Sequence, residues 1–245
     1  MRVAVAVAVL LSLAGHARGG ELGTFHRSLS DTSHGYAVVQ DPTGTGPAAR
    51  VERFEVRPGD CGRSREWDDC ANDRERSELA QDRSHRVGPG TEAWYGWSLY
   101  LPADLPNVHP TKAVFGQFIQ TRSHPLFMFR QTVAGLVLDN QVDKTRSDLL
   151  IPETELRGRW HRFEVHARWS RGPDGFFTVY VNGDARADYR GVTMTAHEVY
   201  LKYGVYRTFV SRYRDARGVD AVPAQVAYFA DMRGASTRAG LVDRP

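Results

Sequence analysis

The stretch His161-Arg-Phe-Glu-Val-His-Ala-Arg-Trp-Ser170 decides the fold class of this chain. From Phe163 to Trp169 every second residue is apolar, and the residues between them are charged or are histidine. This alternation is typical of a β-strand with one buried and one solvated face. The next apolar run, residues 176–181, leads into Asn182-Gly183, a pair that tolerates positive φ and favours a hairpin turn. Strands are therefore predicted at 160–169 and 176–181.

Eight further segments are rich in aromatic and β-branched residues and are bounded by Gly, Pro or Asp, as strands are. These predicted strands are residues 51–56, 74–79, 93–101, 113–120, 126–131, 135–139, 199–206 and 225–232. Helical periodicity is weak, and a short helix is expected only at 215–219 or within 139–150. Ten strands without the spacing of βαβ units predict an all-β fold, a jelly-roll sandwich of two antiparallel sheets.

The composition is that of an ordinary folded protein. Of the 245 residues, 41% are hydrophobic and 25% are charged, which excludes disordered and collagen-like chains. No repeat or long linker divides the chain, so residues 20–245 are predicted to form a single domain. The formal net charge of +3 is too small to indicate a nucleic-acid-binding protein.

The positive charge is carried almost entirely by arginine. The 32 basic residues are 29 arginines and three lysines. Arginine is suited to binding carboxylate, sulfate and phosphate groups, but the codon usage of a GC-rich genome also explains such an excess. Composition alone favours the codon explanation.

The first twenty residues have the pattern of a secretory signal. A positive start at Arg2 is followed by the apolar segment 3–13 and by small residues, with cleavage expected after Ala17 or Gly19. The apolar segment is shorter than the roughly 20 residues that span a bilayer. We therefore expect a signal peptide at 1–19 and an exported mature protein, periplasmic or secreted, that is not held in a membrane.

Cys61 and Cys70 are the only cysteines. In an exported protein such a pair is predicted to form a disulfide, worth at most roughly 2.7 kcal/mol for a loop of about ten residues. The neighbouring Asp60, Asp68 and Asp69 are oxygen donors that suit a structural calcium ion, although solvated loop residues are the simpler interpretation. No other metal or cofactor is indicated.

Familiar catalytic motifs are absent from the sequence. It has no GxSxG nucleophile elbow, HExxH zinc motif, P-loop or GxGxxG turn. His161 and His166 lie five residues apart on a predicted strand and so point to opposite faces, which favours structural roles. The acidic run from Glu66 begins like the ExDxxE strand of laminarinase-type glycoside hydrolases, but Ala71 stands where the second carboxylate is needed. A hydrolase is therefore disfavoured.

Three predicted strands carry polar residues on one face. On the strand 74–79, Arg74, Arg76 and Glu78 project together because side chains alternate. On the strand 113–120, Gln117 projects on the same side as Phe115 and Ile119. These faces are candidates for a site that binds an acidic ligand.

The third polar face is the most informative. In Tyr200-Leu-Lys-Tyr-Gly-Val-Tyr206, the residues Tyr200, Lys202, Gly204 and Tyr206 share one face, about 6.6 Å from one to the next. The glycine would leave room between the cation and the phenol for a sugar ring. An apolar core would not place these residue types on its own face, so a binding role is favoured over an ordinary solvent-facing strand.

These three strands resemble those of a known enzyme family. Arg76-Ser-Glu-Leu79, Gln117-Phe-Ile119 and Tyr200-Leu-Lys-Tyr-Gly-Val-Tyr206 resemble, in order, the R(S/T)EL, QxH and YFKxGxY strands of jelly-roll polysaccharide lyases of the alginate lyase type. The runs 54–61, 73–79 and 94–102 look like the bacterial polysaccharide lyases grouped with heparin lyase I and glucuronan lyase. The resemblance covers roughly residues 35–235.

The resemblance implies a jelly roll with a concave substrate cleft and β-elimination on a uronic-acid polysaccharide, giving 4,5-unsaturated products. Arg76 and Gln117 match the positions that bind and neutralise the uronate carboxylate, which stabilises the charge that develops in the transition state. Tyr206 matches the tyrosine that takes the C5 proton, donates one to the departing O4, or does both. The resemblance also implies that Lys202 contacts the substrate chain, and the strand faces add a set of further substrate contacts: Arg74, Glu78 and Tyr200.

Two expectations accompany this implied chemistry. A tyrosine has an ordinary pKa near 10, so a basic role at neutral pH needs nearby cations. Arg74 or Arg76 is expected to supply them, because Lys202 lies about 13 Å along the strand from Tyr206. The expected partner is an anionic polysaccharide, bound by a monomer, with no nucleic acid.

The sequence departs from the family pattern at one position. The histidine of the QxH strand falls on Ile119, which cannot accept a proton. We expect His34 to replace it as a catalytic residue, with His124 and His166 next, unless Tyr206 works alone. The alternative is a non-catalytic carbohydrate-binding jelly roll.

Overall fold

The computed structural model describes residues 22–241, so the predicted signal peptide at 1–19 lies outside the described residues. Within this part, the chain forms fourteen β-strands and two short α-helices. The strands are β1 (Phe25–Arg27), β2 (Tyr36–Gln40), β3 (Arg50–Val56), β4 (Arg74–Gln81), β5 (Glu92–Tyr100), β6 (Lys112–Gln120), β7 (Pro125–Thr132), β8 (Gly135–Asn140), β9 (Ser147–Pro152), β10 (Trp160–Arg168), β11 (Phe176–Val181), β12 (Asp184–Arg190), β13 (Val199–Thr208) and β14 (Gln225–Ala235). The helices are α1 (Glu153–Leu156) and α2 (Val210–Arg217). None of the helices described is long and apolar enough to cross a membrane.

The strands form two seven-stranded antiparallel sheets that pack face to face. One sheet has the order β1-β4-β13-β6-β7-β8-β9 and the other has the order β12-β11-β10-β5-β14-β3-β2. Side chains from both sheets meet in one apolar core. Fully buried phenylalanines fill it: Phe54, Phe118, Phe127, Phe163 and Phe177. The predicted all-β jelly roll is confirmed.

All ten predicted strands occur. In β10 the apolar set starting at Phe163 is fully buried, as the alternation requires. Asn182 and Gly183 have φ of 53° and 92° and join β11 to β12, with Val181 opposite Asp184. The predicted hairpin turn is therefore confirmed.

Four strands were not predicted, and all four are edge strands. They are β1, β2, β9 and β12, which end the two sheets. An edge strand is short or polar because only one side of it is paired, so its apolar pattern is weak. The expected helix within 139–150 is wrong, since β9 begins at Ser147 and pairs with β8. The other helix, expected at 215–219, overlaps α2, but α2 begins earlier, at Val210, and ends at Arg217.

Gly204 lies at a bulge in β13, where the pairing with β6 shifts register between Tyr203 and Tyr206. Its φ is +129°, a conformation that favours glycine. A Cβ atom here would lie 2.3 Å from the carbonyl oxygen of Ser77 and 2.8 Å from the Phe54 ring. The backbone conformation and the core packing therefore explain why this position is glycine. The predicted space for a sugar ring does not explain it.

Candidate active site

A cavity of about 810 Å³ opens on one face of β4, β13 and β6. Tyr200, Lys202 and Tyr206 of β13 line it, whereas the alternate residues Leu201 and Tyr203 point into the core. The cavity therefore lies on the side of this sheet that is turned away from the other sheet.

Cations dominate the lining of the cavity. Glu66 is the only acidic residue among the lining residues. Against it stand six basic residues: Arg27, Arg74, Arg76, Arg86, Arg122 and Lys202. This excess of positive charge fits an anionic ligand.

Strand register brings the predicted site residues together. Arg76 on β4 lies opposite Tyr206 on β13. Lys202 on β13 lies opposite Gln117 on β6, and the next lining pair is Tyr200 with Ile119. The predicted shared face of these three strands is thus present in the fold, except that Phe115 packs in the core, beside a register shift between Val114 and Gly116.

Arg76 is held from behind by two buried carboxylates. Its Nε and Nη2 donate to the two oxygens of Asp69 at 2.5 and 2.6 Å, and its Nη1 donates to Glu78 at 3.1 Å. Arg76 is 5% exposed, Asp69 is 0% exposed and Glu78 is 1% exposed. Burial opposes the charge of Arg76, but the carboxylates outweigh burial and raise its pKa. The guanidinium is therefore fixed and charged.

Glu78 aligns Arg76 with Gln117. Its Oε1 accepts a hydrogen bond from Gln117 Nε2 at 2.7 Å while its Oε2 accepts from Arg76. Glu78 is not among the residues that line the cavity. Its predicted role as a substrate contact is therefore corrected to a positioning role between the two residues.

Tyr206 lies against the guanidinium of Arg76, whose carbon is 4.4 Å from the centre of the phenol ring. Burial raises the pKa of Tyr206 to about 12, against the lowering effect of Arg76 and Arg74. The two arginines act in the predicted direction, but burial is stronger. At neutral pH the resting phenol therefore holds its proton.

Lys202 and Tyr200 lie further along β13. Lys202 Nζ donates to Ser28 Oγ at 2.9 Å. Burial lowers the pKa of Lys202, and the charge of Glu78 opposes that shift. The Tyr200 ring packs on the guanidinium of Arg86, with 4.1 Å between the guanidinium carbon and the ring centre.

The predicted disulfide is present and closes a loop at the wall of the cavity. The Cα atoms of Cys61 and Cys70 are 5.1 Å apart. The loop between them carries Trp67, which lines the cavity and donates through Nε1 to Asp69 Oδ1 at 2.8 Å. Neither Trp67 nor the Asp69 contact to Arg76 was predicted. The signal that could have revealed Trp67 is its position, a tryptophan in a polar loop between two cysteines.

The three aspartates near the disulfide point to different partners. Asp60 accepts from the Arg57 amide at 2.7 Å, Asp68 pairs with Arg63 at 2.9 Å, and Asp69 holds Arg76. Among residues 22–241, no group of three or more His, Cys, Asp or Glu side chains could hold a metal ion. The calcium site considered from the sequence is not assembled here.

A family model described as polysaccharide lyase matches residues 17–233 of the sequence. The chain belongs to the polysaccharide lyase family. This confirms the family and the class of enzyme indicated by the three strand motifs. No curated protein matches this lyase in sequence.

Solved structures with the same fold include other lyases. An endo-β-1,4-glucuronan lyase from the fungus Trichoderma reesei has a TM-score of 0.62 at 15% identity, over 91% of this chain and 96% of that one. AlgAT5, an alginate lyase of polysaccharide lyase family 7, has a TM-score of 0.57 at 18% identity, over 84% and 83%. An alginate lyase from Corynebacterium sp. has a TM-score of 0.57 at 16% identity, over 84% and 82%. At these identities the similarity shows the shared fold.

Ile119 lines the cavity at the position where the QxH strand carries a histidine. Of the three histidines expected to replace it, only His124 lines the cavity, from the turn after β6. His124 is exposed, and its Nδ1 lies 3.2 Å from Ser123 Oγ. A fourth histidine that was not predicted, His26 on β1, also lines the cavity.

The structure does not bring His34 or His166 to the cavity. His34 Nε2 lies 2.8 Å from Asp60 Oδ2, outside the lining residues. His166 belongs to the other sheet and stacks on Trp94, with 4.1 Å between the ring centres. Neither histidine is therefore placed to act on a ligand bound in this cavity.

Replacing Asp69 by alanine is expected to destabilise this lyase by about 3–5 kcal/mol, because Arg76 would stay buried after losing two of its three hydrogen bonds to carboxylates and would keep only the one to Glu78. Asp68→Ala in the same loop removes an ion pair with the exposed Arg63 and a hydrogen bond from the Ala71 amide, and it should cost less, about 1–2 kcal/mol. Urea unfolding of both variants measures the free energies. Equal losses for the two variants would show that the Arg76 pair does not stabilise the fold.

Proposed function

We propose that this lyase cleaves a uronic-acid polysaccharide by β-elimination. The observation that carries the proposal is the cavity itself, where six basic side chains and one acidic side chain surround Tyr206. The family membership of the chain supports the reaction class. The structural neighbours that act on glucuronan and alginate support a uronate as the sugar.

Arg76 and Gln117 bind the carboxylate of the reacting sugar. An arginine has five N–H donors, and Asp69 and Glu78 occupy three of those of Arg76. One N–H remains on each terminal nitrogen, which suits a carboxylate that accepts two bonds. Neutralising the carboxylate makes the C5 proton more acidic and stabilises the enolate-like charge that follows.

Tyr206 moves the proton. As a phenolate it takes the proton from C5, the C5–H electron pair forms the C4–C5 double bond, and the C4–O4 bond breaks. The proton then passes from the phenol to the departing O4, which regenerates the phenolate. Arg76, beside the ring, is the cation that favours the phenolate.

The products are a shortened chain and a chain that ends in a 4,5-unsaturated uronate. Export to the periplasm or the medium places the enzyme with such polymers. The disulfide between Cys61 and Cys70 supports export, because disulfides persist in oxidising compartments.

A second function, non-catalytic carbohydrate binding, is favoured by one observation. Ile119 stands in the cavity where the family pattern has a histidine. If that histidine is indispensable, the chain binds the polysaccharide without cleaving it.

The purified protein is expected to generate the ultraviolet absorbance of an unsaturated uronate from at least one member of a panel of alginate, glucuronan, heparinoid and pectic chains. Tyr206→Phe should lower that rate at least about a hundredfold, because the proton carrier is lost. Tyr228→Phe, on the other sheet, is the matched control and should keep the wild-type rate. Full activity in Tyr206→Phe contradicts the mechanism, and binding without absorbance in the wild type favours the second function.

The pH profile tests the basic role of Tyr206. Since burial raises the pKa of Tyr206 to about 12, the phenolate fraction grows about tenfold per pH unit below that value. We expect kcat/KM to rise with that slope between pH 7 and 9, provided that circular dichroism shows a folded protein throughout. A flat profile over this range would restrict Tyr206 to proton donation and require another base.

A further inference from the structure

We propose that Trp67 and Arg74 form a separate sugar-binding subsite beside the reaction centre, which holds a neighbouring uronate of the same polysaccharide. In this subsite the sugar packs on the indole ring and its carboxylate pairs with the guanidinium. The inference rests on the proposed function and deepens it, because it assigns a second point of contact to the polymer.

Trp67 presents an aromatic surface to the cavity. It is 41% exposed, and it is the only aromatic residue among the large apolar side chains that are exposed in residues 22–241. Trp97 and Trp169, in contrast, are buried in the core. An exposed indole at the wall of a polar cavity is a surface on which the apolar face of a sugar ring can pack.

The indole is held in place before any ligand binds. Its Nε1 donates to Asp69 Oδ1, the same carboxylate that holds Arg76. The Trp67 amide donates to Ser64 Oγ at 3.1 Å, and the disulfide closes the loop. A ring that is already fixed loses little conformational freedom on binding.

Arg74 supplies a charge that no carboxylate neutralises. Its guanidinium carbon lies 5.3 Å from the centre of the Trp67 ring and 6.0 Å from the centre of the Phe209 ring. Its Nη1 donates to the carbonyl oxygen of Asn72 at 2.9 Å, and its buried Nε has no hydrogen-bond partner. No ion pair of Arg74 occurs among the described residues, so its charge is available to a ligand.

Register places this subsite next to Tyr206. Arg74 lies opposite Thr208 and Arg76 lies opposite Tyr206, so the two arginines are about 6.6 Å apart along β4. Lys202 lies on the other side of Tyr206 along β13. A chain that passes over Tyr206 therefore meets Lys202 on one side and the Trp67–Arg74 subsite on the other.

The test measures binding in the Tyr206→Phe protein, where cleavage is expected to be at least about a hundredfold slower, with alginate and glucuronan as the probes. Trp67→Ala and Arg74→Ala should each lower, about tenfold, the affinity for whichever probe binds more tightly. Calorimetric titration measures this affinity. Arg212→Ala is the matched control for charge, since Arg212 packs on Phe209 but does not line the cavity. It should change affinity less than twofold.

Two further readouts separate the subsite from a general loss of structure. Trp67→Phe loses the hydrogen bond to Asp69 but keeps a ring, so it should restore most of the affinity and abolish the change in tryptophan fluorescence on binding. Arg74→Ala should reduce the salt dependence of binding, whereas Trp67→Ala should leave it unchanged.

The subsite would be overturned if Trp67→Ala left the affinity unchanged. It would also be overturned if the variants lost no more affinity than Arg212→Ala, or if neither probe bound. The result is independent of the proposed reaction. If the variants weaken binding but the wild type generates no unsaturated uronate, the lyase activity fails and the subsite stands.

Discussion

The buried ion pair between Arg76 and Asp69 is the contact on which the cavity depends. Arg76 comes from β4, the second strand of its sheet, and Asp69 comes from the disulfide loop, so the pair fastens the loop to the sheet. A charge with so little exposure is tolerated only with a partner. The pair therefore fixes both the guanidinium beneath the cavity and the loop that forms its wall.

The carboxylates of Asp69 and Glu78 connect Arg76 to other residues at the cavity. Asp69 also accepts from Trp67, which sets the ring at the cavity wall. Glu78 accepts from both Arg76 and Gln117, which sets the amide on the next strand but one. Two buried acids thus order the cationic surface without lying on it, and the surface stays positive toward a ligand.

The sequence predicts the centre of the fold better than its edges. Strands paired on both sides must be apolar on the core face, and the alternation in β10 makes that visible. Edge strands such as β12 lack this constraint.

In the site, alternation gives the face of Arg76, Lys202 and Tyr206, but it cannot show which loop covers that face. The Asp69 contact and the failure of His34 to reach the cavity depend on the packing of loops. The raised pKa of Tyr206 depends on burial, which the motif does not reveal.

The excess of arginine has a local use in the cavity, where five of the six cations are arginines and the substrate is proposed to be a polyanion.

The most direct test of the mechanism compares two substrates. One is a uronate polymer, and the other is the same polymer after its carboxyl groups have been reduced to alcohols. We expect unsaturated products from the intact polymer and none from the reduced one, because Arg76 and Gln117 act on the carboxylate. Equal cleavage of both polymers would contradict this mechanism.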